Sequence, residues 1–232
     1  MALPSISTPE FQTTIPSTGE TITYRPFLVK EEKLLLMAME GGDALEMSNA
    51  MLNILRSCIL TEIDVHSLAT FDVEYLFLTL RSKSVGEVIN LKINHTTETE
   101  CAHSSEINIA IDDIKVNGDI IDGKIMLTDD VGIKLRYPRM SDLKEVDSNN
   151  SESMFKMIRT CIEYIFDKEE VYSDFSEKEI ADWVDGLNQK QFAMITSFFE
   201  GMPKLSHIAE WTCEKCGQKD NIKLEGLQSF FT

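Results

Sequence analysis

DVEYLFLTLRSKSVGEVINLKI, residues 72–93, holds the decision about fold class. In its first half Val73, Leu76, Phe77 and Leu80 recur at the three-and-four spacing of one helix face. Arg81 and Lys83 follow, where the helix dipole favours cations, and Gly86 stops the helix. Directly beyond it, Glu87 to Ile93 alternates apolar and polar residues, the period of a strand. A chain that leaves a helix for a run of strands, with no helix between them, reads as α+β rather than α/β.

Upstream of this stretch the pattern is helical. Asp72 reads as the N-cap of the 72–82 helix, and Asp43 as the N-cap of a helix over about 44–60. Leu45, Met51, Leu52, Leu55 and Ile59 supply the apolar stripe of that second helix. Val29 to Met39 forms a further helix, carrying Leu34, Leu35, Leu36 and Met37 and ending at Gly41-Gly42. Thr21 to Pro26 suits a short strand. Residues 1–20 carry Pro4, Pro9 and Pro16 without periodicity and read as an extended arm.

Downstream, strands are expected at Glu106–Ile111, Lys124–Leu127 and Val131–Tyr137, with turn signals at Asn117-Gly118 and Asp122-Gly123. Ser141 to Glu152 is a polar, acidic linker. Helices return at Met154–Phe166, then behind a Ser176/Glu179 capping box, then behind Asn188, where Phe192, Ile195, Phe198 and Phe199 line one side. Ile208 to Phe231 reads as a hairpin and a last apolar turn. The expected organisation is an arm (1–20), a helical region (21–86), a β-rich region (87–140), a linker (141–152), a second helical region (153–204), and a knuckle hairpin with an apolar tail (205–232). Helical N-terminal and C-terminal parts thus surround an antiparallel β-sheet region.

Composition narrows the function. The 232 residues are 43% hydrophobic, enough for a sizeable core. Lys plus Arg number 22 against 39 Asp plus Glu, a net charge of −17. That balance argues against nucleic acid or an anionic membrane surface as partner, since both need a basic face. No stretch approaches the roughly 20 apolar residues of a membrane span. The opening MALPSISTPE lacks the basic and apolar regions of a signal peptide, so the chain is expected to stay in the cytoplasm with its five cysteines reduced. Cys58 and Cys161 lie in apolar helical patterns and read as core residues.

The clearest chemical signal is Cys213-Glu-Lys-Cys216-Gly217, between Trp211 and Ile222. A C-x-x-C-G turn between short strands aims two thiolates at one point, half of a tetrahedral zinc site. The loop from His95 to His103 offers the other half: Cys101 with His103, or Cys101 with His95, would complete a Cys3His set. Two hairpins clamping one structural Zn2+ would form a zinc-ribbon-like pair. A redox dithiol lacks its βαβ context, and two free cysteines in a turn remain the plain alternative. No catalytic constellation stands out, because Glu31-Glu32, Asp112-Asp113 and Asp129-Asp130 are adjacent acids whose side chains point apart. His66 and His207 stand alone.

Three signatures resemble a known family. They are Tyr24-Arg25-Pro26-Phe27-Leu28-Val29-Lys30-Glu31-Glu32-Lys33, the run from Phe71-Asp72-Val73-Glu74-Tyr75 through Leu80 to Glu87, and the ending from Cys213 through Leu224-Glu225-Gly226-Leu227 to Phe230-Phe231. They resemble the baseplate hub proteins of T-even-like bacteriophages, whose members are described as hub subunits or as hub assembly factors. The resemblance implies a protein that binds other hub proteins, with the tail tape-measure protein as a further partner. It implies residence in the host cytoplasm during assembly, and in the tail baseplate if the chain is a subunit. Arg25, Phe27, Lys30, Arg81, Lys83, Phe230 and Phe231 are the contact candidates. Two readings compete. A zinc-ribbon adaptor for nucleic acid or a polymerase is opposed by the charge. A tail-borne lytic enzyme needs a carboxylate pair in a cleft, which the sequence does not mark.

Overall fold

The computed structural model describes residues 6–95, 101, 103–145 and 151–230. In chain order the strands and α-helices are β1 (Phe11–Thr14), β2 (Thr21–Tyr24), α1 (Val29–Gly41), α2 (Ala44–Cys58), α3 (Thr70–Ser84), β3 (Val88–His95), β4 (His103–Ala110), β5 (Lys115–Asn117), β6 (Lys124–Met126), β7 (Gly132–Leu135), α4 (Ser151–Thr160), β8 (Ile162–Phe166), β9 (Val171–Tyr172), α5 (Glu177–Asp185), α6 (Gln189–Glu200), β10 (Lys204–Thr212) and β11 (Lys219–Glu225). Every strand pairing among the described residues is antiparallel, so the α+β class holds.

The elements gather into two compact units that cut across the six expected stretches. The first takes its described residues from Met1–Val65, Phe71–Asn117 and Lys204–Thr232, the second from His66–Thr70 and Gly118–Pro203.

In the first unit α3 is the buried element. Phe71, Val73, Leu76, Phe77, Leu78 and Leu80 are all buried, on more faces than one apolar stripe provides. The helix begins two residues before Asp72, so that carboxylate is not its cap. Asp72 instead accepts the Ser17 N–H at 2.9 Å, and the Tyr75 hydroxyl bonds Thr13 Oγ1 at 3.3 Å. Both contacts hold the β1–β2 hairpin. Phe11 to Thr14, expected inside an unpaired arm, forms a strand because β2 supplies its backbone partners, Phe11 opposite Tyr24 and Thr14 opposite Thr21. At the other end of α3, Ser84 Oγ accepts the Phe27 N–H at 3.0 Å.

Phe27 leads into α1. Leu28 stands at the N-cap position with no side-chain acceptor. Glu31 compensates in part: its Oε2 accepts the Leu28 N–H at 2.9 Å, one half of a capping box. Its Oε1 pairs with Arg25 Nη2 at 2.9 Å, and Arg25 also donates to the carbonyls of Pro26 and Ser57. One buried ion pair thus joins β2, α1 and the end of α2.

Two hairpins complete the unit. β3 and β4 pair from Val88 opposite Ala110 to His95 opposite His103. β10 and β11 pair from Ser206 opposite Glu225 to Thr212 opposite Lys219, and β5 adds to the free edge of β10.

The second unit is a four-stranded sheet in the order β6-β7-β8-β9 with α4, α5 and α6. Leu127, Ile133, Leu135, Ile158, Ile162, Ile165, Ile180, Val184, Ile195 and Phe198 form its core. The expected Ser176/Glu179 capping box starts α5, and Asn188, expected as a cap, starts α6 in a box that Gln191 completes. The helix expected over Met154–Phe166 stops at Thr160. Ile162-Glu-Tyr-Ile-Phe166 is rich in β-branched and aromatic residues, and it finds strand partners on both sides. Gly132 is the residue that lets Phe166 lie across β7, since a Cβ there would overlap the Phe166 ring.

The Arg25–Glu31 pair yields a prediction. Burial opposes the Glu31 charge, but the hydrogen bonds from Arg25 and the Leu28 N–H outweigh it and hold its pKa below the usual carboxylate range. Such a group stabilises the fold above its unfolded pKa, and the benefit disappears as pH falls through the lower folded value. Arg25→Ala is expected to cost about 3 kcal/mol near neutral pH, the low end for a broken buried pair. Urea unfolding at several pH values checks this, and the difference from the unaltered protein should shrink as pH falls from the ordinary glutamate range through the lower folded value of Glu31.

Candidate metal centre

The tips of the two hairpins of the first unit bring the cysteines together. On β4 the inward positions are His103, Ser105, Ile107 and Ile109, and Cys101 continues the same alternation. On β10 they are Leu205, Ala209 and Trp211, continued by Cys213. Cys101, Trp211 and Cys213 are buried together, with Ile93, Ile107 and Ile222 packed around them.

Beyond β10 the chain turns back in six residues, 213–218. The Gly217 N–H donates to the Cys213 carbonyl at 2.8 Å, and the Cys213 N–H to the Gln218 carbonyl at 2.8 Å. Gly217 closes the turn at φ 73°, a conformation that costs a residue with a side chain but not glycine. This tight turn folds Cys216 back over Cys213.

The sulfurs of Cys101, Cys213 and Cys216 all lie within 4.8 Å of one another, and Cys101 and Cys213 are 3.7 Å apart. All three are free thiols, Cys216 exposed and the other two buried. Burial, reinforced by hydrogen bonds with Cys213 and Cys216, pushes the Cys101 thiol up to about 11. Three thiols at this spacing are a set that can hold a metal ion.

His103, expected as a fourth ligand, is not within this cluster. It faces the same side as Cys101, but residues two apart on a strand are separated by roughly 6.6 Å, too far for both side chains to meet one ion without a turn of the ring. Its Nε2 is buried and has no hydrogen-bond partner among the described residues. The side chain of the alternative ligand, His95, lies outside the described residues.

The expected contact residues fall into two groups. Phe27 and Phe230 are core residues, Phe230 only 1% exposed, so neither is a surface anchor. An apolar ring next to a hairpin finds more apolar area inside its own unit than at the surface. Phe231 lies outside the described residues. Arg25 is committed to Glu31, and Arg81 is half-buried, which lowers its pKa. Lys83 pairs with Glu87 at 2.5 Å, while the Lys30 side chain is 71% exposed.

A surface that the sequence reading passed over lies beside Lys30. On α1, Val29 is 79% exposed, Met37 60% and Leu36 52%. The signal was present in Leu34-Leu-Leu-Met37: four consecutive apolar residues span more than one face of a helix, so some must point outward.

Residues 8–232 match the family described as T4 bacteriophage base plate protein. The chain belongs to that family. Within it, the chain is similar to the baseplate hub assembly protein gp26 of Enterobacteria phage T4, with 25% identity over 215 residues, 92% of this chain and 93% of the relative. No solved structure matches the chain.

Two outcomes follow for this T4 base plate family member. Alkylation of the native, metal-free protein should modify Cys216 first. Cys58 and Cys161, whose thiols burial pushes up to about 11 and about 12, should react only on unfolding. Peptide mapping by mass spectrometry reads the order. Phe230→Ala should lower stability by about 3 kcal/mol through the cavity it leaves, measured by denaturant unfolding.

Proposed function

We propose that this chain acts in assembly of the phage tail baseplate hub by binding other hub proteins, as an assembly factor working in the host cytoplasm. The family match over residues 8–232 carries the reading, and the relative's name, baseplate hub assembly protein, supplies the process. The work is binding rather than turnover. Asp112 and Asp113 sit on an exposed 3-10 turn, and Glu31 is bound up with Arg25, so these acids support the fold or face water. No helix among the described residues is long and apolar enough to cross a membrane.

The outward face of α1 is the contact surface this reading favours. Val29, Leu36 and Met37 are large apolar side chains held in water on a chain of net charge −17, next to Lys30. Exposed apolar residues gathered on one helix face, rimmed by charge, mark protein interaction sites. Arg81 and Lys83 remain further contact candidates, and the tape-measure protein is a candidate partner beside the hub proteins. In this reading the cysteine cluster is part of a structural metal site, in which a fourth ligand closes the tetrahedron and leaves no position for a substrate or water.

Two measurements test the proposal. Quantitative mass spectrometry of purified mature tails and of assembly intermediates should find the chain in the intermediates only. Stoichiometric presence in mature tails would make it a hub subunit instead. In a complementation assay, Leu36→Lys with Met37→Lys should abolish co-purification of hub proteins while leaving the unfolding midpoint unchanged. Normal co-purification would remove α1 as the surface.

A further inference from the structure

We propose that Cys101, Cys213 and Cys216 bind one Zn2+, and that the ring of His103 turns in to supply the fourth ligand, so that the ion joins the β3–β4 hairpin to the β10–β11 hairpin. The proposal rests on the structural reading of the cluster and gives it an ion, a ligand set and a task.

The thiol spacing is the first support. Zinc holds each thiolate at about 2.3 Å in a tetrahedron, which sets neighbouring sulfurs about 3.8 Å apart. Cys101 and Cys213 stand at 3.7 Å with Cys216 inside the same 4.8 Å limit, so the three need only small shifts to close on an ion. The donor type selects the metal: soft thiolates with an imidazole in a tetrahedral set suit zinc and disfavour the oxygen-seeking cations.

The second support is His103. A buried ring nitrogen without a partner is costly unless something satisfies it. His103 Nε2 is such an atom among the described residues, on the strand face that carries Cys101. Rotation about its side-chain bonds is the motion that would bring a ring nitrogen to the sulfurs. His103 would then fill the remaining position of a three-thiolate site with a ring nitrogen that lacks a bond among the described residues.

The third support is the size of the surrounding core. Among the described residues, Trp211 is the buried large side chain of this cluster, with Ile93, Ile107 and Ile222 partly buried. Such a small apolar cluster stabilises little, and metal binding to a site that unfolding destroys adds directly to folding free energy. Cys101 and Cys213 are 112 residues apart, so the ion would close a long loop.

The test uses the full chain, purified without chelator. Metal analysis should give about one zinc per chain. After chelator removal, Co2+ should restore the near-ultraviolet absorption of thiolate-to-cobalt charge transfer and the visible bands of a tetrahedral ion. Cys216→Ser, an exposed position, should weaken zinc binding by roughly 100-fold or more in competition with a chromophoric chelator. His103→Ala should weaken it by at least about 10-fold and alter the visible cobalt bands, while His103→Cys restores affinity as a four-thiolate set. Folded protein that holds no zinc and gives no cobalt charge transfer overturns the site. His103→Ala with unchanged affinity and unchanged cobalt bands overturns the fourth ligand. Co-purification of hub proteins by the chelated protein is a separate readout, so loss of the metal proposal leaves the assembly reading standing on its own test.

Discussion

A helix with buried apolar residues on more than one face must be covered on more than one face, and α3 places that demand on the whole first unit. Its buried residues, Phe71 to Leu80, exceed what one neighbouring layer shields. Segments from distant parts of the chain close over it, and each is fixed by a polar group of α3. Asp72 takes the backbone of Ser17, Tyr75 meets Thr13, Ser84 takes the backbone of Phe27, and Glu74 takes the Leu227 N–H at 3.2 Å. Burial raises the Glu74 pKa even as that N–H favours its charge, so this contact ties down the C-terminal segment at some electrostatic cost. The N-terminal hairpin and the last 3-10 turn are therefore parts of the core's closure and not loose ends.

The same constraint shapes the surface. With Leu35 and Ala38 directed inward, α1 turns its remaining apolar residues to water. Glu31 is the hinge of that arrangement. It spends one oxygen on the start of α1 and the other on Arg25, so a helix lacking a side-chain cap is anchored by a buried charge. An apolar face held on an anchored helix suits docking, because little ordering entropy remains to be lost on binding.

The hairpins illustrate a second economy. β3–β4 and β10–β11 bring inward-facing residues to a common tip, where the apolar cluster is small and the thiols take the place of further aliphatic side chains. The C-x-x-C-G turn needs Gly217 at positive φ to bend Cys216 over Cys213. Cys101 reaches the same place only because the alternation of β4 carries it inward.

By itself the sequence determined the local elements. The capping boxes at Ser176 and Asn188, the α3 periodicity ending at Gly86 and the knuckle turn are all written in neighbouring residues, because caps, turns and helical spacing act within a few positions. The meeting of Cys101 with the knuckle was also legible, as a loop of ligand-type residues lacking a partner. Tertiary structure alone decided the rest. Phe11 to Thr14 became a strand only because β2 lay beside it, and Ile162 to Phe166 left its helix only because β7 and β9 offered backbone partners. Phe27 and Phe230 went inside, and Val29 and Met37 stayed out, because apolar side chains compete for a core whose shape no local pattern records. Strand pairing and burial join residues far apart in the chain, and that is information a window of sequence does not hold.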